Sequence, residues 1–190
     1  MSQVVSPPPE TDAPPADVGD LYEVVDGQFV EPPTMGAFEN HIASVLLIML
    51  ANHVTQRRLG RVNMEMLYRI DPARDLQRRP DLSFVSYERW PRERPVPRTA
   101  AWDVVPDLVI EVISPGNLAI ETNDRVRDYF RADVRQVWVV YPRSGSVEAY
   151  RSPKQVTIFD NDDELDGGDI LPGFRLRLSS LFNEQADLPQ

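Results

Sequence analysis

The sequence predicts an α/β protein with a mixed β-sheet and flanking helices. Apolar residues recur at helical spacing over 35–58 and 117–131, which predicts two amphipathic helices. Short apolar or alternating runs lie before, between and after them, which predicts several strands. The hydrophobic share of 42% in 190 residues is sufficient for a buried core. A sheet with helices packed against it is therefore the expected architecture.

The first half of the domain is predicted to begin with a hairpin and a long helix. The expected elements, in order, are a hairpin over 21–30, a helix over 35–58, and strands over 61–70 and 81–87. Asp26 and Gly27 favour a two-residue hairpin turn. Arg57 and Arg58 fall in the last turn of the helix, where they complement its dipole, and Gly60 favours its end.

The second half is predicted to contain a buried strand, a helix and a further hairpin. The expected elements are a loop over 88–104, a strand over 107–114, a helix over 117–131 with Asn117 as its cap, a strand over 136–141, a hairpin over 146–159, an acidic loop over 160–169 and a last short strand. All strands are expected to join a single mixed sheet.

The termini differ from the rest in composition. Residues 1–20 are rich in Pro and acids and predict a disordered tail, residues 21–182 form the predicted domain, and residues 183–190 form a C-terminal tail. No segment resembles a signal peptide or reaches the length of a membrane span, so we expect a cytoplasmic protein with no membrane partner. The chain has no cysteine, so a metal would need oxygen or histidine ligands.

The net charge of −10 is unevenly distributed. Residues 1–20 and 160–190 carry net charges of −4 and −6, which leaves residues 21–159 neutral, and residues 57–98 hold eleven arginines against six acids. Such a basic band could bind phosphates, which favours DNA as a partner, or it could form internal salt bridges. The chain has nineteen arginines and one lysine, Lys154.

The strand over 107–114 carries a carboxylate that requires a partner. On a strand, Val109, Glu111 and Ile113 share one apolar face. A buried carboxylate must be paired, protonated or bound to a metal, because an unpaired buried charge costs several kcal/mol. Asp107 lies on the same side at the start of this strand. Glu111 is thus a candidate site residue, with a buried ion pair to an arginine as the structural alternative.

A second carboxylate, Asp81, begins the strand over 81–87. If the two strands are neighbours, Asp81 and Glu111 can together chelate one divalent cation, with carbonyls and waters completing its shell. Such an ion can polarise a phosphodiester and activate a bound water. The pair therefore predicts a site for Mg²⁺ or Mn²⁺.

Several sequence pieces, taken in order, resemble the Uma-type restriction endonuclease family, which has the PD-(D/E)XK nuclease fold. The pieces are YEVVDG at 22–27, His41 at the start of the long helix, LGRV at 59–62, RPDLSFV at 79–85, PDLVIEVISP at 106–115, Tyr129, VWVV at 137–140 and LPGF at 171–174. The resemblance covers about residues 21–182. It implies a restriction-endonuclease-like mixed sheet and a DNA endonuclease whose metal ligands are Asp81 and Glu111.

The resemblance also implies a catalytic lysine on the helix that follows Glu111, four residues before Tyr129. That position holds Arg125. An arginine stays protonated and cannot act as a base, although it can anchor a phosphate or stabilise charge. Three secondary candidates are Asp107, which shares the face of Glu111; Glu65, which could instead be a solvent-facing strand residue; and His41, which could simply cap or pack.

Three hypotheses follow. The first is a Mg²⁺-dependent endonuclease acting on DNA. The second is a catalytically impaired nuclease-fold protein that binds nucleic acid or a protein partner, motivated by Arg125 in the lysine position. The third is a structural homodimer in which an internal arginine neutralises Glu111.

Overall fold

The computed structural model describes residue 19 and residues 21–182, so the predicted tails lie outside the described residues except for residue 19. The elements are β1 (Glu23–Val25), β2 (Gln28–Val30), α1 (Ala37–Arg57), β3 (Gly60–Met64), β4 (Tyr68–Asp71), β5 (Leu76–Arg78), β6 (Leu82–Ser86), β7 (Leu108–Val112), α2 (Ala119–Arg131), β8 (Gln136–Tyr141), β9 (Ser146–Ser152), β10 (Gln155–Phe159), β11 (Glu164–Asp166), β12 (Arg175–Arg177) and α3 (Leu178–Phe182). In this part of the chain, no helix combines the length and hydropathy needed to cross a membrane.

The first hairpin and the long helix are confirmed. Asp26 and Gly27 both have positive φ, 49° and 78°, as a two-residue hairpin turn between twisted strands requires. Helix α1 buries Ile42, Leu46 and Leu50, which follow one another every fourth residue. It therefore packs one apolar stripe against the sheet.

The strand predicted over 61–70 is in fact two strands in different sheets. Glu65 has a φ of 49°, which interrupts the extended backbone directly after β3. Strand β3 then pairs with β6, whereas β4 pairs with β5. The sequence does not reveal this change of sheet, because apolar residues occupy every second position from β3 into β4.

The predicted α/β class with a mixed sheet and flanking helices is confirmed, but the single sheet is wrong. A six-stranded sheet has the order β10-β9-β8-β7-β6-β3, and β7 and β8 are its one parallel pair. Helix α2 provides the crossover that this parallel pair needs. The described residues form two further sheets, one of four strands in the order β2-β1-β5-β4 and one of two, β11-β12.

Both faces of the six-stranded sheet are covered. Leu108, Ile110 and Val112 of β7 face the core that contains the α1 stripe. Val109 faces the opposite core, together with Val126 and Tyr129 of α2. The predicted alternation of β7 is therefore confirmed, and Glu111 lies on the α2 side.

The predicted loop over 88–104 is confirmed, whereas the predicted helix cap at Asn117 is wrong. The loop over 88–104 contains no named strand or helix, and Trp90 and Trp102 are buried against each other with ring centroids 5.2 Å apart. Asn117 is not the helix cap, because α2 begins at Ala119 with Leu118 at the N-cap position. The Asn117 side chain instead accepts a hydrogen bond from the Ser114 N–H at 2.6 Å.

Candidate functional site

The predicted carboxylate pair lies in a cleft at one end of the six-stranded sheet. Leu82 of β6 is opposite Ile110 of β7, so Asp81 and Glu111 are the next residues along the two antiparallel strands. The cleft has a volume of about 740 Å³ and is bordered by β1, β2, the start of α1, the end of β7 and the start of α2. The structure thus brings the two predicted ligands together.

Asp81 is held by the backbone of the neighbouring strand. Its Oδ2 accepts a hydrogen bond from the Val112 N–H at 2.6 Å. Burial, and then the negative charge of Glu111, raise the pKa of Asp81 to about 7. This carboxyl group therefore gains or loses its proton near neutral pH, as expected where two carboxylates share one small volume.

Glu111 is buried and paired. Its Oε1 accepts hydrogen bonds from Nε and Nη2 of Arg125 at 3.1 and 3.0 Å and from the Tyr129 hydroxyl at 2.5 Å. Its Oε2 accepts from Arg125 Nη2 at 3.3 Å. Although burial alone would lower the pKa of Arg125, the Glu111 carboxylate raises it well above its ordinary value. The ion pair that was the structural alternative for Glu111 is present.

Arg125 also contacts a carboxylate that the sequence analysis did not select, Glu23 of β1. Arg125 Nη1 donates to Glu23 Oε2 at 2.7 Å, and Arg78 Nη1 donates to the same oxygen at 2.8 Å. The Arg79 N–H donates to Glu23 Oε1 at 2.7 Å. Glu23 is 2% exposed and links the first hairpin to the site. Its presence in the YEVVDG piece was the only available signal, because a lone Glu on a short strand gives no indication of burial.

Two further ion pairs, both to Asp128, extend this network away from the cleft. Arg78 Nη2 donates to Asp128 Oδ2 at 2.6 Å, and Arg74 Nη1 donates to Asp128 Oδ1 at 3.1 Å. Helix α2 is therefore fixed to the four-stranded sheet by charged groups rather than by apolar contacts alone. Removing one partner from such a buried network costs far more than breaking an exposed salt bridge.

The cleft is acidic. Its lining includes seven carboxylates and three guanidinium groups. The carboxylates are Glu23, Glu31, Glu65, Asp81, Glu111, Glu121 and Asp124, and the guanidinium groups are Arg78, Arg79 and Arg125. A cleft with this excess of negative charge attracts cations and repels phosphates unless a cation is bound there.

The secondary candidates lie in different places. Asp107 is at the opposite end of β7, where it accepts from Arg89 Nε at 3.1 Å and from the Ser86 N–H at 2.8 Å, so it is not part of the cleft. Glu65 lines the cleft, and its N–H donates to the Asp81 carbonyl at 3.0 Å. His41 is exposed on α1 and does not line the cleft. Within the described residues, no three His, Asp or Glu side chains form a metal-binding group.

The basic band is largely used within the chain. Six of its eleven arginines donate to, or stack on, groups of the same molecule: Arg61, Arg74, Arg78, Arg79, Arg89 and Arg94. Arg61, for example, donates to three loop carbonyls, and Arg94 stacks on the Trp90 ring at 3.6 Å. The contacts therefore favour the internal salt-bridge interpretation of the band over a free phosphate-binding surface.

The chain is thus an α/β protein whose six-stranded mixed sheet lies between α1 and α2, with Asp81 and Glu111 side by side at one end of that sheet. The model of the Uma2 family, described as "Putative restriction endonuclease", matches residues 14–179, and the chain belongs to this family. The resemblance inferred from the sequence pieces is thus confirmed.

A solved structure supports the fold. The chain is similar to a protein from Anabaena variabilis ATCC 29413 whose crystal structure is titled as that of a "putative nuclease belonging to DUF820". The two share 20% sequence identity and a TM-score of 0.74, over 87% of this chain and 92% of the other. No curated protein matches the sequence.

Proposed function

We propose that this protein is a divalent-metal-dependent endonuclease that hydrolyses DNA phosphodiester bonds at the Asp81–Glu111 pair. The observation that carries the proposal is the juxtaposition of these two carboxylates at the end of an acidic cleft, with burial and Glu111 raising the pKa of Asp81 to about 7. Two carboxylates in this position are stabilised by a cation between them. Membership of a restriction endonuclease family supports DNA as the substrate.

The donor set suits Mg²⁺ or Mn²⁺. Within each carboxylate, Asp81 Oδ1 and Glu111 Oε2 are the oxygens with fewer hydrogen-bond donors, and hard cations prefer oxygen ligands. Since two carboxylates are too few for six-coordination, backbone carbonyls and waters would supply the remaining ligands. When bound, the ion would polarise the phosphodiester and lower the pKa of a coordinated water.

The surrounding residues position this pair. The Val112 N–H fixes the orientation of Asp81, and Tyr129 and Arg125 fix Glu111. Arg125 keeps its proton, so it does not deprotonate water, and it acts by neutralising part of the negative charge near the substrate phosphate.

Cleavage of supercoiled plasmid tests the proposal. With Mg²⁺ or Mn²⁺ present, we expect the full-length protein to nick or linearise plasmid, and we expect Asp81→Asn and Glu111→Gln to lose at least about 100-fold of this rate. Asp124→Asn is the matched control, because it removes an exposed carboxylate that lines the same cleft. Equal cleavage by the wild type and the Asp81→Asn variant would overturn the assignment of the site.

A second candidate function is nucleic-acid or protein binding without cleavage. The specific observation in its favour is that Arg125 already provides a cation for Glu111 and occupies the position where the family resemblance implies a lysine. Under this hypothesis the wild type does not cleave and Arg125→Lys gains cleavage. Comparable cleavage by both proteins would exclude it.

A further inference from the structure

The outer edge of β10 has features of a contact surface. Among the described elements, β10 is the last strand of the six-stranded sheet and has β9 as its only neighbour. Its residues QVTIF contain no charge and no proline, two of the features that protect an edge strand from pairing, and a register shift against β9 lies at its start, between Gln155 and Val156. Val156 and Ile158 are 43% and 59% exposed. The described residues thus leave an apolar edge strand uncovered.

The sequence of this edge is complementary to itself. In an antiparallel pair of two β10 strands centred on Thr157, Thr157 lies opposite Thr157 of the second copy. Val156 then lies opposite Ile158 of the second copy, and the same pair recurs on the other side of the axis. Threonine pairs and β-branched apolar pairs are favourable neighbours across strands.

The charges that flank the strand select this register. Lys154 and Asp160 lie three residues before and three residues after Thr157. Lys154 is the last residue of the β9–β10 turn and Asp160 directly follows β10, so an antiparallel pair centred on Thr157 brings the Lys154 side chain of each copy next to Asp160 of the other. A shift of the centre by one residue in either direction separates these opposite charges and also removes the Val156–Ile158 pairs.

We propose that the protein forms a symmetric homodimer in which two β10 strands pair antiparallel about Thr157 and join the two six-stranded sheets into one. The partner is a second copy of this chain, because β10 and its flanking residues Lys154 and Asp160 supply both members of every apolar pair and of every charge pair. The proposal does not depend on cleavage activity. An interface of this length lies at the small end of the range for specific contacts, so a dissociation constant of roughly micromolar order is expected.

Sedimentation of the full-length protein between about 1 and 200 μM tests the assembly. We expect a monomer–dimer equilibrium within this range. The double variant Val156→Lys with Ile158→Lys places like charges opposite each other and should weaken the dimer by at least about tenfold. Ile120→Lys is the matched control, since Ile120 is 68% exposed on α2, and it should leave the equilibrium unchanged. A wild type that stays monomeric throughout would overturn the proposal.

A cysteine cross-link tests the register, and the absence of native cysteine makes this experiment simple. Residues directly opposite in an antiparallel pair have Cα atoms about 4.5–5.5 Å apart, within the range that a disulfide spans. Under mild oxidation, Thr157→Cys should therefore cross-link rapidly to itself. Gln155→Cys should not, because the two residues 155 lie about four residues apart along the paired strands. Equal cross-linking of both variants would contradict the register.

Exchange of the flanking charges provides an independent test. Lys154→Asp alone and Asp160→Lys alone each place like charges opposite each other twice, so each should dimerise about tenfold more weakly at low salt. A mixture of the two variants restores both opposite-charge pairs, and heterodimers should form with about wild-type affinity. Failure of the mixture to recover affinity, with both variants folded by circular dichroism, would refute the pairing.

Discussion

Replacement of Asp81 by asparagine should stabilise the metal-free protein at alkaline pH. The ordinary pKa of this carboxyl group is 3.8, and burial and Glu111 raise it to about 7 in the folded chain. Between these pH values the folded chain holds a proton that the unfolded chain has lost, so the free energy of unfolding decreases as the pH rises. Below about pH 3.8, Asp81 is protonated in both the folded and the unfolded chain and does not change the free energy of unfolding. Above about pH 7 it is ionised in both, and its destabilising effect on the folded chain is complete.

The size of the change in stability follows from the shift in the pKa of Asp81. Each pKa unit corresponds to about 1.4 kcal/mol, so a displacement from 3.8 to about 7 gives at most about 4 kcal/mol. Asp81 is only partly buried, and solvent reduces this value, so we expect about 2–4 kcal/mol. Asparagine has nearly the same shape, and its Oδ1 can still accept the hydrogen bond from the Val112 N–H.

Urea unfolding in EDTA, followed by tryptophan fluorescence, measures the difference. The Asp81→Asn variant and the wild type should be equally stable near pH 4, and the variant should be more stable by about 2–4 kcal/mol at pH 8.5. Asp124→Asn is the control, because the Asp124 side chain is 61% exposed and should change stability by less than about 0.5 kcal/mol at either pH. A variant that is no more stable than the wild type at pH 8.5 would refute this account of the site.

Further substitutions test the network. Arg125→Met leaves Glu111 and Glu23 without their shared cation and should lower the free energy of unfolding in EDTA by about 3–5 kcal/mol; a loss under about 1 kcal/mol would exclude Arg125 as their counter-ion. Arg125→Lys keeps the charge but not the paired geometry, so urea unfolding should give an intermediate loss of roughly 1–3 kcal/mol, and no loss would show that the fork geometry is unimportant. Asp107→Asn weakens the pair with Arg89 and should cost about 1–3 kcal/mol. Calorimetry should show unchanged Mg²⁺ affinity in this variant, since a changed affinity would connect Asp107 to the cleft.

The sequence predicted the central strand and its carboxylate because burial leaves a direct signal there. Apolar residues on both faces of β7 indicate a strand covered on both sides, and Glu111 is the exception within one of those faces. The prediction for Asp107 shows the limit of this reasoning. Alternation gives the face of a strand but not the position along it, and four residues separate the two side chains by about 13 Å.

The remainder of the network depends on contacts between distant segments. Strand β5 has the sequence LQR, which shows no strand pattern, and it was not predicted. Its Arg78 and the first hairpin's Glu23 are more than fifty residues apart in sequence. Neither residue shows its burial locally, because both become buried only when the four-stranded sheet packs against α2. Charged residues on short strands are usually solvent-exposed, so their role here depends on tertiary structure.

The internal use of the arginines has a consequence for how affinity for DNA would depend on ionic strength. An arginine that is paired within the protein does not neutralise a phosphate and so does not release a counterion from DNA. At most five of the eleven arginines in residues 57–98 remain for that purpose, since six contact the protein itself. At about 0.9 counterions per phosphate contact, these arginines would give a slope of log affinity against log salt concentration no steeper than about −4.5. The basic band would therefore add only a moderate salt dependence, whereas a band of eleven unpaired arginines would give a slope of about −10.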